Sequence, residues 1–290
     1  MFYSLLRRLP FPEALVPWKM LRGFLKNRNY RLPEFKPQGI HGGSLEIQQG
    51  IPIARLRGSN YEIGKQHGAL VGEQAAALFE RYLGIFAGRK SHDLKLANKM
   101  LKHIPERYIE EMKGFSDGSG ISWDDTLLTT TFLDIHKVAL CSTFVVRDQS
   151  SSNGEIVFGR NLDFPALHIA DRASMLFVVE PEGKRPFVSV GWPGFLGVLS
   201  GMNADGLALA MMLIYGHTRT DHVEGVPFAL HYRDVLESYD NVKDASARLH
   251  KREFAVCNNM MLADASRDAA VLELHTRGVG EIRDDSDFPV

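Results

Sequence analysis

Cys141-Ser142-Thr143-Phe144-Val145-Val146, followed by Gly159-Arg160-Asn161-Leu162-Asp163-Phe164, is the stretch on which the reading of this chain turns. Both runs are rich in β-branched and aromatic residues, which suit a pleated, half-buried strand. Asn153-Gly154 lies between them and is a strong hairpin signal. A thiol therefore opens one strand, and an arginine and an aspartate three residues apart sit on the next. That is the pattern of a nucleophile with electrostatic support. The only other cysteine is Cys257, so Cys141 belongs to neither a disulfide lattice nor a zinc site.

Short β-type runs continue downstream at 174–180, 186–190, 195–200 and 206–213, separated by Gly, Asn, Asp and Pro. Residues 227–249 return to helix, with Phe228, Leu230, Val235, Leu236, Val242, Ala245 and Leu249 on the buried face. Two further strands are expected at 254–263 and 269–274. Upstream the character is helical. Residues 28–44 read as a linker, and 44–57 as a hairpin. Ser59 or Asn60 caps a helix that runs into the 70s and 80s. Apolar spacing predicts helix over 92–115, and Ser122 starts another after the turn at 117–122. The first 140 residues are thus mainly helical and the remainder β, helix, β. This order fits an α+β fold of stacked antiparallel sheets covered by helices better than a doubly wound parallel sheet.

Apolar content of 44% and charged content of 24% are ordinary for a globular chain, and a net charge of −1 gives no global pull toward nucleic acid. Two cysteines require no disulfide, so a reducing, cytoplasmic setting is the default. The first residues do not form a secretory signal, because Arg7 and Arg8 interrupt the apolar run. Residues 1–31 carry Arg7, Arg8, Lys19, Arg22, Lys26, Arg28 and Arg31 against Glu13 alone, interleaved with Leu15, Trp18, Met20, Leu21, Phe24 and Leu25. Such a segment reads either as a peripheral membrane contact or as a helix packed on the domain with a solvated basic face.

A thiol of pKa roughly 8.5 needs a base or a nearby positive charge to act as a nucleophile. His136, His168, His217 and His231 are scattered and neither support nor exclude a Cys–His pair. The other solution is an α-amino base. Were the Leu140–Cys141 bond cut, the new amine of Cys141, with a pKa of about 8, would sit beside its own thiol. Arg160 can then favour the thiolate and Asp163 can hold the arginine and the terminal ammonium; by residue type alone, a structural ion pair at a strand end is the commoner reading. Asn258 and Asn259 are candidate donors to a developing oxyanion, or an asparagine pair entering a strand. Asn203 reads as a turn residue, Cys257 as a small buried hydrophobe, and Met211-Met212 and Met260-Met261 as core.

Taken together, these residues resemble the penicillin acyltransferase-like family of N-terminal-nucleophile (Ntn) hydrolases, which includes acyl-coenzyme A:6-aminopenicillanic acid acyltransferase. The resemblance spans roughly residues 45–290. It is carried by Gly58 through Gly68, Gly114 through Gly120, Cys141-Ser142-Thr143-Phe144, Gly159 through Phe164, Gly201 through Leu207, and Asn259 through Asp264 with Glu273 beyond. It implies an αββα sandwich preceded by a mainly helical segment. Residues 1–44 would be a basic extension and linker, 45–140 a helical α-chain, and 141–290 the nucleophile region lacking its C-terminal end. It further implies self-cleavage between Leu140 and Cys141, Cys141 as nucleophile, Arg160 and Asp163 as site residues, and Asn259 as the oxyanion-hole asparagine. The expected substrate is a small N-acyl amide, with a coenzyme A thioester as a donor by family analogy. No metal or organic cofactor is expected, and no nucleic acid partner.

Two positions depart from the family pattern. Leu213 stands where bile acid hydrolases carry a second asparagine, and Leu140 where the fungal acyltransferase has glycine. Family members also usually continue beyond a point such as Phe288-Pro289-Val290. The alternative expectation is a catalytically impaired membrane-surface or lipid-binding protein on an Ntn scaffold.

Overall fold

The computed structural model describes residues 16–86, 90–137, 140–214, 224–249, 254–276 and 278–284, with backbone alone for 16–19, 86 and 278. Residues 1–15 of the basic segment, His217, and the terminal Phe288-Pro289-Val290 lie outside the described residues.

The first half is mainly helical, as expected, and also builds one side of the large sheet. Helix α1 (Val16–Asn27) precedes strands β1 (Gln38–Ile40), β2 (Gly43–Gln48) and β3 (Ile51–Gly58). The β2–β3 hairpin turns on Gln49 and Gly50, both at positive φ, a geometry that matches strand twist. β1 falls within the stretch read as linker, because Gln-Gly-Ile carries no alternation and pairs only along β2. Helix α2 (Asn60–Leu78) starts in a capping box between Ser59 and Glu62. It runs into a π-helical turn, Phe79–Leu83, and a further turn of helix, Gly84–Phe86.

The pattern read as one helix over 92–115 is two, α3 (Lys90–Leu101) and α4 (Glu106–Ser119). Pro105 divides them, since the residue before a proline is pushed away from helical angles. Helix α5 (Trp123–His136) is capped by Ser122, whose Oγ accepts from Asp125 N. The glycines of the 58–68 and 114–120 motifs are a packing seam between α2 and α4. A Cβ at Gly64 would lie 1.9 Å from Glu111 O, and one at Gly114 would lie 2.1 Å from Tyr61 O.

Strands β4 (Leu140–Val146) and β5 (Val157–Asp163) form a two-stranded hairpin. The remaining strands are β6 (Met175–Pro181), β7 (Phe187–Gly191), β8 (Ser200–Asn203), β9 (Ala208–Leu213), β10 (Asn258–Ala263), β11 (Ala269–His275) and β12 (Gly278–Arg283). With β1–β3 they make a ten-stranded sheet in the order β1-β2-β3-β6-β7-β8-β9-β10-β11-β12. Every neighbouring pair is antiparallel except β3–β6. Of the run at 195–200, residues 195–199 form a loop and Ser200 opens β8, because Val198 N is held by Ala229 O at 2.9 Å. The helix over 227–249 is two, α6 (Phe228–Ser238) and α7 (Val242–Leu249). Tyr239 is extended, and Asn241 Oδ1 restarts the chain by accepting from Asp244 N at 2.8 Å.

The fold is α+β with stacked antiparallel sheets. Helices α2, α6 and α7 pack on the large sheet, and the β4–β5 hairpin lies against β9. Leu209, Met211, Met260 and Leu262 are buried in the main core with Val235 and Leu236 of α6. Alternate residues Met212, Asn259 and Met261 turn to the hairpin side, as their shared cleft with Thr143 requires.

A buried ion network joins α4 to α6. Arg233 pairs with Glu111 and Glu237, with side chains 3%, 2% and 0% exposed. Arg107 pairs with Glu237 and Asp234, and Tyr108 Oη donates to Glu237. Burial alone would lower the Arg233 pKa, but Glu111 and Glu237 outweigh it and the net direction is up. For Glu111 burial wins over Arg233 and its pKa rises. We read the network as costly to charge and costlier to break, because losing Arg233 strands two buried carboxylates.

His67, in the 58–68 motif, is buried and its Nε2 accepts from Gly194 N at 3.0 Å. Burial, then the charge of Arg233, lowers its pKa from 6.5 to about 3. Between those values the unfolded chain holds a proton that the folded chain does not, so stability rises with pH across that window. The slope from this one group reaches about 1.4 kcal/mol per pH unit. Urea midpoints at about pH 5 and about pH 7 should differ less for His67→Gln than for the natural chain. Equal pH dependence in both would refute the assignment.

Candidate functional site

The β4–β5 register sets the geometry around Cys141. Leu140 pairs with Asp163, Cys141 with Leu162, and Thr143 with Arg160. Because side chains alternate, Cys141, Thr143, Arg160 and Leu162 share the hairpin face that looks toward the large sheet. Leu140, Ser142, Phe144 and Asp163 lie on the other face and are exposed. Phe144 covers Gly159 across the strand, where a Cβ would approach its ring to 2.1 Å.

On the inner face, Thr143 Oγ1 donates to Met212 Sδ at 3.0 Å and anchors β4 to β9. Arg160 Nε donates to Ser200 Oγ at 3.0 Å, and its Nη1 donates to the Asn161 carbonyl. Arg160 Nη2 is buried with no partner among the described residues. A charged donor held this way is available to a ligand or an intermediate. Asp163 Oδ1 accepts from Asn161 Nδ2 at 2.9 Å. The structure therefore brings Cys141 and Arg160 to one face and places Asp163 on the other, opposite Leu140. Its backbone runs beside the Leu140–Cys141 bond.

Asn259 lines a cleft of about 220 Å³ with Thr143, Met212, Met261, Glu273 and Arg283. Its Oδ1 is buried without a partner among the described residues. Asn258 alternates to the opposite face, is 0% exposed, and pairs across β9 with Leu213. Asn203 is structural. Its Nδ2 donates to Leu236 O and Tyr239 O at 2.9 and 2.6 Å, and its Oδ1 accepts from Asp205 N and Leu207 N. Cys257 is buried. Met211 and Met260 lie in the core, whereas Met212 and Met261 face the cleft beneath the hairpin. The described histidines are engaged elsewhere. His136 meets Asp93 at 3.2 Å, His168 meets the Phe24 ring, and His231 meets the Phe254 ring.

Two participants gave no signal in the sequence. Ser200 fixes Arg160 from a strand entry. Tyr232 lies within electrostatic reach of Cys141 and Arg160. It is 0% exposed, and its Oη donates to Asn259 O at 3.1 Å. Burial, then the proximity of Cys141, pushes its pKa well up, so the phenol stays a donor. At helical spacing it reads as one more core aromatic, which is why the pattern hides it.

A second cleft begins one residue past β5. Phe164 stacks between Tyr82 and Trp192, at 5.4 and 4.9 Å between ring centroids. With Phe79, Phe132 and Phe195 these rings line an apolar cavity of about 60 Å³. It shares Phe79, Leu83 and Phe132 with a larger cleft of about 490 Å³, which carries Lys90, Asp93 and His136. The π-helical turn Phe79–Leu83 supplies walls to both. Among the described residues, no cluster of His, Cys, Asp and Glu is placed to hold a metal ion.

Residues 149–288 match the family model described as acyl-coenzyme A:6-aminopenicillanic acid acyl-transferase. The resemblance to the penicillin acyltransferase-like Ntn hydrolases therefore holds over just under half of the chain. The match includes Arg160, Asp163 and Asn259 and begins after Cys141. An uncharacterized protein of Archaeoglobus fulgidus is 27% identical over 237 residues, covering 70% of this chain and 40% of that protein. Protein dcd1B of Dictyostelium discoideum is 26% identical over 271 residues, covering 82% and 53%. An N-acylethanolamine-hydrolyzing acid amidase of Cavia porcellus is 28% identical over 109 residues, covering 38% and 29%. The chain thus spans about half or less of the length of these curated relatives. Among solved structures, a Caenorhabditis elegans ortholog of that amidase aligns at TM-score 0.42 and 18% identity, covering 49% of this chain and 63% of that one. A conjugated bile acid hydrolase of Clostridium perfringens aligns at TM-score 0.37 and 15% identity, covering 49% and 50%.

Removing the Tyr232 hydroxyl tests its hold on β10. Tyr232→Phe should lower stability by about 1 kcal/mol, the net worth of one hydrogen bond, read from urea unfolding. No loss would mean that the hydroxyl does not hold Asn259.

Proposed function

We propose that the chain is a self-processing N-terminal-cysteine amide hydrolase or acyltransferase, a finer reading than the amide hydrolase and acyltransferase chemistry of its family. The observation that carries it is the setting of one peptide bond. Leu140 is 52% exposed at the open end of the hairpin, so the Leu140–Cys141 bond is reachable by water. Cys141 presents its thiol on the face that holds Arg160, and Asp163 pairs with Leu140 across the strands.

In this reading, Sγ attacks the Leu140 carbonyl carbon and displaces the Cys141 nitrogen, which takes up a proton. Water then hydrolyses the resulting thioester, leaving a Leu140 carboxylate and a free thiol beside a free amine. Residues 45–140 remain as a helical α-chain, held to the nucleophile region by the Arg233 network. The new amine removes the thiol proton, and Asp163 lies next to the strand position where that amine forms. The thiolate attacks the substrate's acyl carbon. The unpaired Arg160 Nη2 and the Asn259 side-chain N–H are the donors assigned to the negative charge that develops on oxygen. The amine leaves with a proton, and water or an acceptor amine takes the acyl group from sulfur. A coenzyme A thioester would load the same sulfur by the same attack. The aromatic cavity at Phe164 suits an extended apolar acyl group. A relative that hydrolyses N-acylethanolamines supports a linear acyl amide as the substrate class.

Intact-mass measurement tests the processing step. We expect two fragments, the second beginning at Cys141, and a single uncut chain for Cys141→Ala. An uncut natural chain would remove the proposed base and with it this mechanism. The acyl assignment is tested separately. Trp192→Ala, which opens the stack on Phe164, should raise KM for a long-chain amide about tenfold and leave a short-chain amide little changed. Equal effects on both would move the acyl group elsewhere.

The alternative, an impaired lipid-binding protein, is favoured by the outward apolar face of α1. An uncut chain that forms no acyl-thioester would select it.

A further inference from the structure

Helix α1 packs with its polarity reversed. Toward the protein it turns Gly23 and Asn27, both buried, with the half-buried Met20 as the one large apolar side chain among its described residues that packs on the core. Gly23 sits against Ile85 and Leu167, where a Cβ would fall 2.7 Å from Ile85 Cδ1. Asn27 donates Nδ2 to Leu167 O at 3.1 Å and to Arg81 O at 3.4 Å. The other large apolar side chains described face outward: Leu21 is 48% exposed, Phe24 46% and Leu25 51%. A globular helix ordinarily does the opposite.

The charges flanking this stripe are all of one sign. Arg22, Lys26 and Arg28 are exposed, and no acidic residue occurs from Val16 to Arg31. At helical spacing Leu21, Leu25 and Arg28 fall along one line, with Arg22 and Lys26 along the next. An apolar stripe bordered by cations matches the boundary of an anionic bilayer, where headgroups meet the charges and acyl chains take the apolar residues. The position is also informative. α1 packs on the outer side of the π-helical turn and Gly84–Phe86, and the inner side of that turn walls the aromatic cavity. Among the described residues, no helix is long and apolar enough to cross a membrane.

We propose that the outward face of α1 seats the protein on an anionic lipid surface, through Leu21, Phe24 and Leu25 among the acyl chains and Arg22, Lys26 and Arg28 at the headgroups. Contact made this way sets the π-helical turn and its cavity close to the bilayer, where acyl amides of low water solubility collect. Its bearing on substrate delivery rests on the amide-hydrolase reading; the contact itself does not.

Vesicle flotation with the full chain tests it, using phosphatidylcholine vesicles with and without about one third phosphatidylglycerol. We expect flotation with the anionic vesicles, weakened by high salt. Replacing Arg22, Lys26 and Arg28 together by Gln should cost roughly fivefold in binding per residue (~1 kcal/mol each). Leu21→Ser, Phe24→Ser and Leu25→Ser combined should abolish flotation while keeping a cooperative melting transition, lowered only modestly by loss of the Phe24–His168 contact. The proposal is overturned if the natural chain does not float, or if the serine variant floats as well as it does. It is also overturned if the stripe instead mediates a concentration-dependent dimer in sedimentation, which would assign the face to a second copy. Cys141→Ala should float unchanged. Flotation of the natural chain with no cleavage would sink the catalytic reading alone.

Discussion

The ion network centred on Arg233 is the constraint on which the rest of the molecule depends. Arg233 and Glu237 lie on α6, after Cys141; Glu111 and Arg107 lie on α4, before it. Hydrophobic packing alone would let α6 slide along its apolar face. A buried guanidinium held by two carboxylates allows one placement, since any shift leaves a charge unpaired away from water. Arg233 also donates to Leu196 O at 2.9 Å, which fixes the loop before β8. The entry of β8 carries Ser200, and Ser200 holds Arg160. The position of Arg160 therefore traces back to a charge cluster on two helices away from the hairpin.

The glycine seam does the same work from the other side. Gly64 and Gly114 bring α2 and α4 to backbone contact, which fixes where Glu111 stands. At the hairpin, period-two alternation makes the decisive separation. Cys141 and Arg160 look inward and Asp163 outward from adjacent rungs. An aspartate on the outer face can serve a group at the strand terminus but not a thiol in mid-strand.

Much of this architecture is legible in the chain wherever a local rule suffices. Ser59 with Glu62, Ser122, the β2–β3 turn and the β-branched, aromatic run from Cys141 to Val146 each announce an element through its own neighbours. What escapes is what depends on distant partners. Arg233 and Glu237, spaced i and i+4, look like a solvent-exposed pair, yet they are among the most buried charges described. β1 and β12 are strands because an edge accepts them, not because Gln-Gly-Ile or Gly-Val-Gly-Glu-Ile-Arg alternates strongly. The parallel pairing of β3 with β6 joins segments more than a hundred residues apart. Around the candidate site, Arg160 and Asn259 carry motif signals, whereas Tyr232 and Ser200 act through single hydrogen bonds that leave no pattern.

The π-helical turn at Phe79–Leu83 carries a consequence of phase. A π turn adds one residue to an α-helix without lengthening its path in proportion, so every side chain beyond it is rotated by about a third of a turn. Phe79, Tyr82 and Leu83 of this turn line the same cavity. Removing one residue from this turn would restore a continuous α-helix and rotate Gly84 through Phe86 out of register with α1. The wall of the hollow and the seat of the helix beside it thus share one turn of the backbone.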